Sequence, residues 1–140
     1  MINWYKIATT KELYHVTLTS HIPSIQQKGI MPMGGPSNWE KASGGRYGVG
    51  DVHALQSLTD AVKWAAHWDW ELSTSFGSGK ISIIKFKYDD QPWETDESDP
   101  LSQLNYENPW LKRMNTIPKE NIIEIIPLTK ELVKNTLSKR

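Results

Sequence analysis

Cysteine is absent from these 140 residues. That excludes a disulfide framework, a thiolate nucleophile and a cysteine zinc site. Charge of one sign is lacking as well: Lys plus Arg and Asp plus Glu both count 16, for a net charge of zero. A global attraction to nucleic acid or anionic membrane is not indicated, although local patches remain open. Long apolar runs are missing, and nothing approaches the roughly 20 residues of a membrane span. The first ten residues mix Asn3, Lys6 and Thr9 with apolar ones and lack the apolar centre of a signal peptide. A cytoplasmic location is the expectation. Arginine occurs only at Arg46, Arg113 and Arg140.

The composition is that of an ordinary globular chain, with 38% hydrophobic and 23% charged residues. The length suits a single domain over residues 1–140. A domain of this size buries roughly 65–70% of the surface its unfolded chain exposes, enough for one real core. Tryptophan stands out, with 7 copies. Most are expected to pack in or near the core, and one or two to wall a planar ligand.

The pattern 12–17, ELYHVT, predicts a strand with Leu13, His15 and Thr17 on one face. A short helix follows, with Ser20 as N-cap candidate, Pro23 in its first turn and Gly29 as C-cap. Residues 32–50 hold Gly34, Gly35, Gly44, Gly45, Gly48 and Gly50, a loop far longer than usual connections of about 4–6 residues. Residues 51–55 predict a short strand. The periodicity of Leu58, Ala61, Val62, Ala65, Ala66 and Trp68 predicts a helix over 57–72, capped by Ser57 with Asp60 in its first turn. Residues 80–88, KISIIKFKY, predict a strand buried on both faces at one end. The acidic stretch 89–99 reads as a solvated loop. A helical turn over 101–105, strands over 109–114 and 121–126, and a helix from Thr129 complete the chain. The order predicts an α+β fold with two small antiparallel or mixed sheets and flanking helices.

Several elements then match a known pattern in order. LYHVT, a helix ending in KGI, a Gly-rich loop, and GDVHAL running into SLTDAVKWA resemble the ADP-ribosyltransferase superfamily, in its branch of diphtheria toxin and poly-ADP-ribose polymerases. The resemblance covers residues 12–127. The strand VHAL is also similar to one in RNA 2′-phosphotransferases, although those enzymes rely on several arginines and this chain has three.

The resemblance implies NAD as substrate and a macromolecular acceptor of ADP-ribose, protein or nucleic acid. It implies that His15 and Thr17 orient NAD, His15 through a ribose hydroxyl. His53 or Tyr47 would stack on the nicotinamide; His53 stands where relatives carry tyrosine. A carboxylate would stabilise positive charge developing on the ribose, as in glycosidases. The register picks Glu107, with Glu120 and Glu124 as alternatives. Arg46 is placed to pair with the pyrophosphate. His67, Asp69 and Glu71 lack zinc-helix spacing, and no phosphate-loop motif occurs, so no metal is expected. The reading implied is an NAD-dependent mono-ADP-ribosyltransferase, of the kind used as a microbial or phage toxin or effector. The alternative is a binding module that keeps the fold and has lost catalysis.

Overall fold

Residues rich in β-branched and aromatic side chains make Glu12–Leu18 (β2) and Ile81–Lys87 (β4) the two longest strands. The computed structural model describes residues 4–5, 11–32, 51–73, 78–97 and 99–137. The other elements are β1 (Trp4–Tyr5), α1 (Ile22–Lys28), β3 (Val52–Ala54), α2 (Leu58–Ser73) and β5 (Trp93–Thr95). They continue with α3 (Pro100–Gln103), β6 (Leu111–Arg113), β7 (Ile122–Pro127) and α4 (Lys130–Leu137). The α+β expectation holds. One sheet has the order β2-β4-β7 and the other β1-β5-β6-β3, with every described strand pair antiparallel.

The three-stranded sheet is apolar on both faces, so it needs a cover on each. Val16, Ile81 and Ile83 face Ala61, Val62, Ala65 and Trp68 of α2 in one core. Leu13, Ile84 and Phe86 face Val52, Ala54, Trp93 and Leu111 of the other sheet in a second core. Ile81, Ile83, Ile84 and Phe86 are each at most 1% exposed, which confirms the doubly buried reading of this strand. Each such side chain contributes about 1.5–3 kcal/mol. The surface pair Lys85–Glu12, at 3.3 Å, is a class of contact worth about 0–1 kcal/mol. Packing therefore fixes the register of β4, and charge does not.

Local signals account for the helix ends. Ser57 Oγ accepts the backbone N–H of Asp60 at 3.1 Å, the expected cap of α2. The first helix departs from expectation. A 3-10 turn over Thr19–His21 precedes it, and His21 stands at its N-cap with no side-chain cap bond. Gly29 ends α1 with φ of 81° and donates its N–H to the Ile25 carbonyl. A Cβ there would meet the Ile117 carbonyl oxygen at 2.3 Å, so glycine is required by space as well as by dihedral angle.

The acidic stretch corrects the expectation of a solvated loop. Trp93–Thr95 is a strand that pairs with both β1 and β6, and Trp93 is fully buried. Asp89 makes a two-pronged ion pair with the buried Arg113, at 2.6 and 2.8 Å. The Arg113 guanidinium also lies 4.7 Å from the Trp93 ring centre. Asp96 is 4% exposed. Two of the segment's six acids are thus structural, Asp89 against the Arg113 guanidinium and Asp96 against the His53 ring.

Candidate functional site

Among the described residues, the backbones of the two sheets pair at one bridge. Tyr14 and Leu55 form an isolated antiparallel bridge, exchanging N–H···O bonds of 2.9 and 2.7 Å. That register sets Val16 opposite His53, yet no described backbone bond continues the pairing there. His15 takes the place instead: its ring Nδ1 lies 2.7 Å from the His53 carbonyl oxygen. A carbonyl only accepts, so Nδ1 carries the hydrogen and Nε2 keeps a lone pair. Burial lowers the His15 pKa to about 4; the bond to His53 opposes this, and the like charges of His53 and His21 add to it. At neutral pH the ring is an uncharged hydrogen-bond acceptor. Thr17 follows two residues on, on the same face by alternation, and is buried.

His53 presents its main chain to His15 and its ring elsewhere. Val52 and Ala54 point into the core between the sheets. Alternation therefore sends the His53 ring to the face shared with Leu55, which packs near Trp110 and α2. There its Nε2 lies 3.3 Å from the Asp96 carboxylate; the His53 side chain is 31% exposed and that of Asp96 4%. Asp96 is itself anchored. Its N–H donates to the Trp110 carbonyl at 2.8 Å, and its carbonyl accepts from Gln103 Nε2 at 2.6 Å. Asp96 was illegible as a site residue in the sequence, where it is one acid among six.

Glu107 extends along the same edge. Residues 107–109 run beside the β3–α2 junction: Gln56 Nε2 donates to the Pro109 carbonyl at 2.9 Å, and the Ser57 hydroxyl donates to Glu107 Oε1 at 2.9 Å. Asp60 is fully buried and uses both carboxylate oxygens, accepting the N–H of Glu107 at 2.8 Å and of Asn108 at 3.0 Å. Burial raises the Asp60 pKa, with the two backbone bonds opposing it. Glu107 itself is exposed. Beside it, Tyr106 packs edge-on against Trp110, with ring centres 5.2 Å apart, and Lys63 Nζ lies 5.3 Å from the Tyr106 ring centre. Lys63 also donates to the Asn105 carbonyl. The structure thus joins His15 to His53, and sets Glu107 four residues along from His53 at the Ser57 end of the junction. No described contact joins Glu107 to His15.

The remaining candidates fall away from this seam or outside the described residues. Arg46 and Tyr47 lie outside them. Glu124 is exposed on β7 opposite Lys85, and Glu120 is exposed on a 3-10 turn. Glu120 borders an open hollow of about 810 Å³ near Lys87, Asp89, Asn115 and Asn121. Neither His15, His53 nor Glu107 lines that hollow. Asp69, one of the acids near His67, accepts from the hydroxyl and N–H of Ser78 and pins the end of α2. Among the described residues no group of His, Asp and Glu could hold a metal ion, and no helix is long and apolar enough to cross a membrane. Among the described tryptophans, Trp68, Trp93 and Trp110 are buried, and Trp64 lies 5.5 Å from Trp68 and 4.8 Å from Trp110 between ring centres.

Neither a protein-family model nor any curated protein matches this chain.

Proposed function

We propose that this chain is an NAD-dependent mono-ADP-ribosyltransferase whose site lies along the seam from His15 through His53 to Glu107. The observation that carries the reading is the fixed tautomer of His15. A neutral ring with Nδ1–H spent on a carbonyl offers one acceptor nitrogen, which suits the hydroxyl of a ribose and repels a phosphate. Glu107 supplies the second requirement. Its carboxylate is held by Ser57, its main chain by Asp60, and it is open to solvent. A fixed anion of this kind lowers the cost of positive charge on a ribose from which nicotinamide departs.

In this reading the bond between ribose and nicotinamide breaks, its electron pair leaves with neutral nicotinamide, and an acceptor atom bonds to the freed carbon. Thr17 supports the His15 end. His53, with its in-plane nitrogen on Asp96, keeps its ring faces available to a planar group. The acceptor is a macromolecule, and a toxin or effector is the setting that the family resemblance implies.

The test is nicotinamide release from NAD alongside calorimetric NAD binding, with wild type, His15→Ala and Glu107→Ala. The reading expects His15→Ala to weaken binding at least tenfold. It expects Glu107→Ala to bind normally and release nicotinamide at least a hundredfold more slowly. Binding without release by wild type would make the chain a nucleotide-binding module. Neither binding nor release would end the proposal.

A further inference from the structure

Transfer to an acceptor needs a destination for the acceptor's proton, and neither residue already placed supplies one. His15 has Nδ1 spent on a carbonyl and stays uncharged because burial holds its pKa down to about 4. Glu107 is committed to the developing positive charge and to the Ser57 hydroxyl. We propose that His53 is the general base that receives the proton of a hydroxyl acceptor, with the buried Asp96 as its orienting partner.

Four observations carry this. The His53 ring is 31% exposed, so a substrate can reach it. Asp96 is 4% exposed and lies 3.3 Å from Nε2, the arrangement in which a carboxylate fixes a histidine's tautomer and stabilises the imidazolium formed when it takes a proton. In this proposal the Asp96 carboxylate, 3.3 Å from Nε2, holds the proton on that nitrogen and leaves Nδ1 to receive the acceptor's proton. Asp96 is anchored through its own N–H and carbonyl to Trp110 and Gln103, so its position does not depend on His53. The ring faces the side of β3 where the strand runs into Ser57, which holds Glu107, so base and transition-state carboxylate share one edge.

The chemistry selects the acceptor class. A carboxylate acceptor carries no proton and needs no base. A lysine or guanidinium acceptor is already charged and must lose a proton before it can attack. A hydroxyl loses its proton only as the new bond to the ribose carbon forms, which is where a neutral imidazole acts. In that step the hydroxyl oxygen bonds to the ribose carbon, the carbon–nicotinamide bond breaks with its electron pair on nicotinamide, and the proton passes to His53 Nδ1.

The inference rests on the NAD reading above, and the experiment separates the two. Full-length wild type, His53→Gln and Asp96→Asn are incubated with NAD and either methanol or the more acidic trifluoroethanol, and alkylated ADP-ribose is measured by mass spectrometry. His53→Gln changes a partly exposed side chain, so it is the primary variant; circular dichroism and NAD calorimetry check both. With transfer normalised to the NAD bound, the expectation is a loss of about 100-fold or more with methanol, and a clearly smaller loss with trifluoroethanol, which needs less help in losing its proton. A structural role would lower both acceptors equally. Equal losses, or no loss with normal NAD binding, would overturn the role of His53. Failure of wild type to bind NAD would overturn the transferase reading and this one with it.

Discussion

Lowering the pH should unfold this protein through His15 before it does so through its carboxylates. Burial holds the His15 pKa at about 4 against an ordinary value of 6.5. The sign follows from which state binds the proton. Between pH 6.5 and about 4 the unfolded chain protonates this ring and the folded chain does not, so stability is full above 6.5 and falls as the pH drops. At about 1.4 kcal/mol per pH unit the loss is about 2 kcal/mol by pH 5 and about 3 kcal/mol near pH 4. Against a typical stability of about 5–15 kcal/mol this is a large fraction.

The assay is urea unfolding at pH 7, 6, 5 and 4.5 for wild type and His15→Asn. Asparagine keeps a donor near the position of Nδ1, for the His53 carbonyl, and cannot titrate. The difference between the two curves isolates the ring. It also removes Asp60, whose raised pKa gives the opposite trend: its folded form takes up a proton more readily as the pH falls, which adds stability. Asp89 acts later, since the Arg113 bonds outweigh its burial and hold it below the ordinary 3.8. Parallel curves for wild type and His15→Asn would refute the lowered pKa of the ring, and with it the neutral acceptor on which NAD recognition depends.

Other outcomes follow from the packing and the seam. Asp89→Asn leaves the buried Arg113 guanidinium without its carboxylate and should cost about 3–5 kcal/mol in denaturant unfolding. Gly29→Ala should cost more than about 1 kcal/mol, because φ is 81° and the new Cβ would press on the Ile117 carbonyl; a neutral result would show that α1 ends differently. Trp93→Ala should cost about 3–5 kcal/mol as a buried aromatic, which calorimetric melting would register. Ser57→Ala removes the cap of α2 and the donor to Glu107, and should lower stability by about 1 kcal/mol while slowing nicotinamide release at unchanged NAD affinity.

What the sequence shows plainly is whatever has a short period. The strand from Glu12, the helix from Leu58 and the strand from Ile81 each bury residues at regular intervals, and each is found where that periodicity puts it. Trp93–Thr95 escapes such reading because three residues among acids show no alternation; it is a strand because β6 and β1 flank it. The same limit applies to the site. His15 is legible as a histidine on a strand face, but its tautomer is set by a carbonyl 38 residues away. Glu107 is legible as a candidate, whereas its grip by Ser57 and Asp60 spans 50 and 47 residues. Asp96 is invisible, since nothing local marks it off from Glu94 or Glu97.

These long-range bonds share one physical origin. Two sheets whose described backbones pair at a single bridge leave groups at the fork in need of partners, and buried polar groups must find them. The His15 ring satisfies the His53 carbonyl, and Asp60 satisfies two consecutive N–H groups of the segment laid along the junction. The fork therefore gathers a histidine, a histidine–aspartate pair and a tethered glutamate for reasons of folding. The described bonds use Nδ1 of His15 and one oxygen of Glu107, and the His53 side chain is 31% exposed. If folding were their whole purpose, conservative changes that keep the structural bonds would leave ligand binding untouched. His15→Asn, which keeps the donor to His53 and removes the acceptor nitrogen, is the change that decides between the two: loss of NAD affinity in a protein of unchanged stability at pH 7 would show that the fork also serves the ligand.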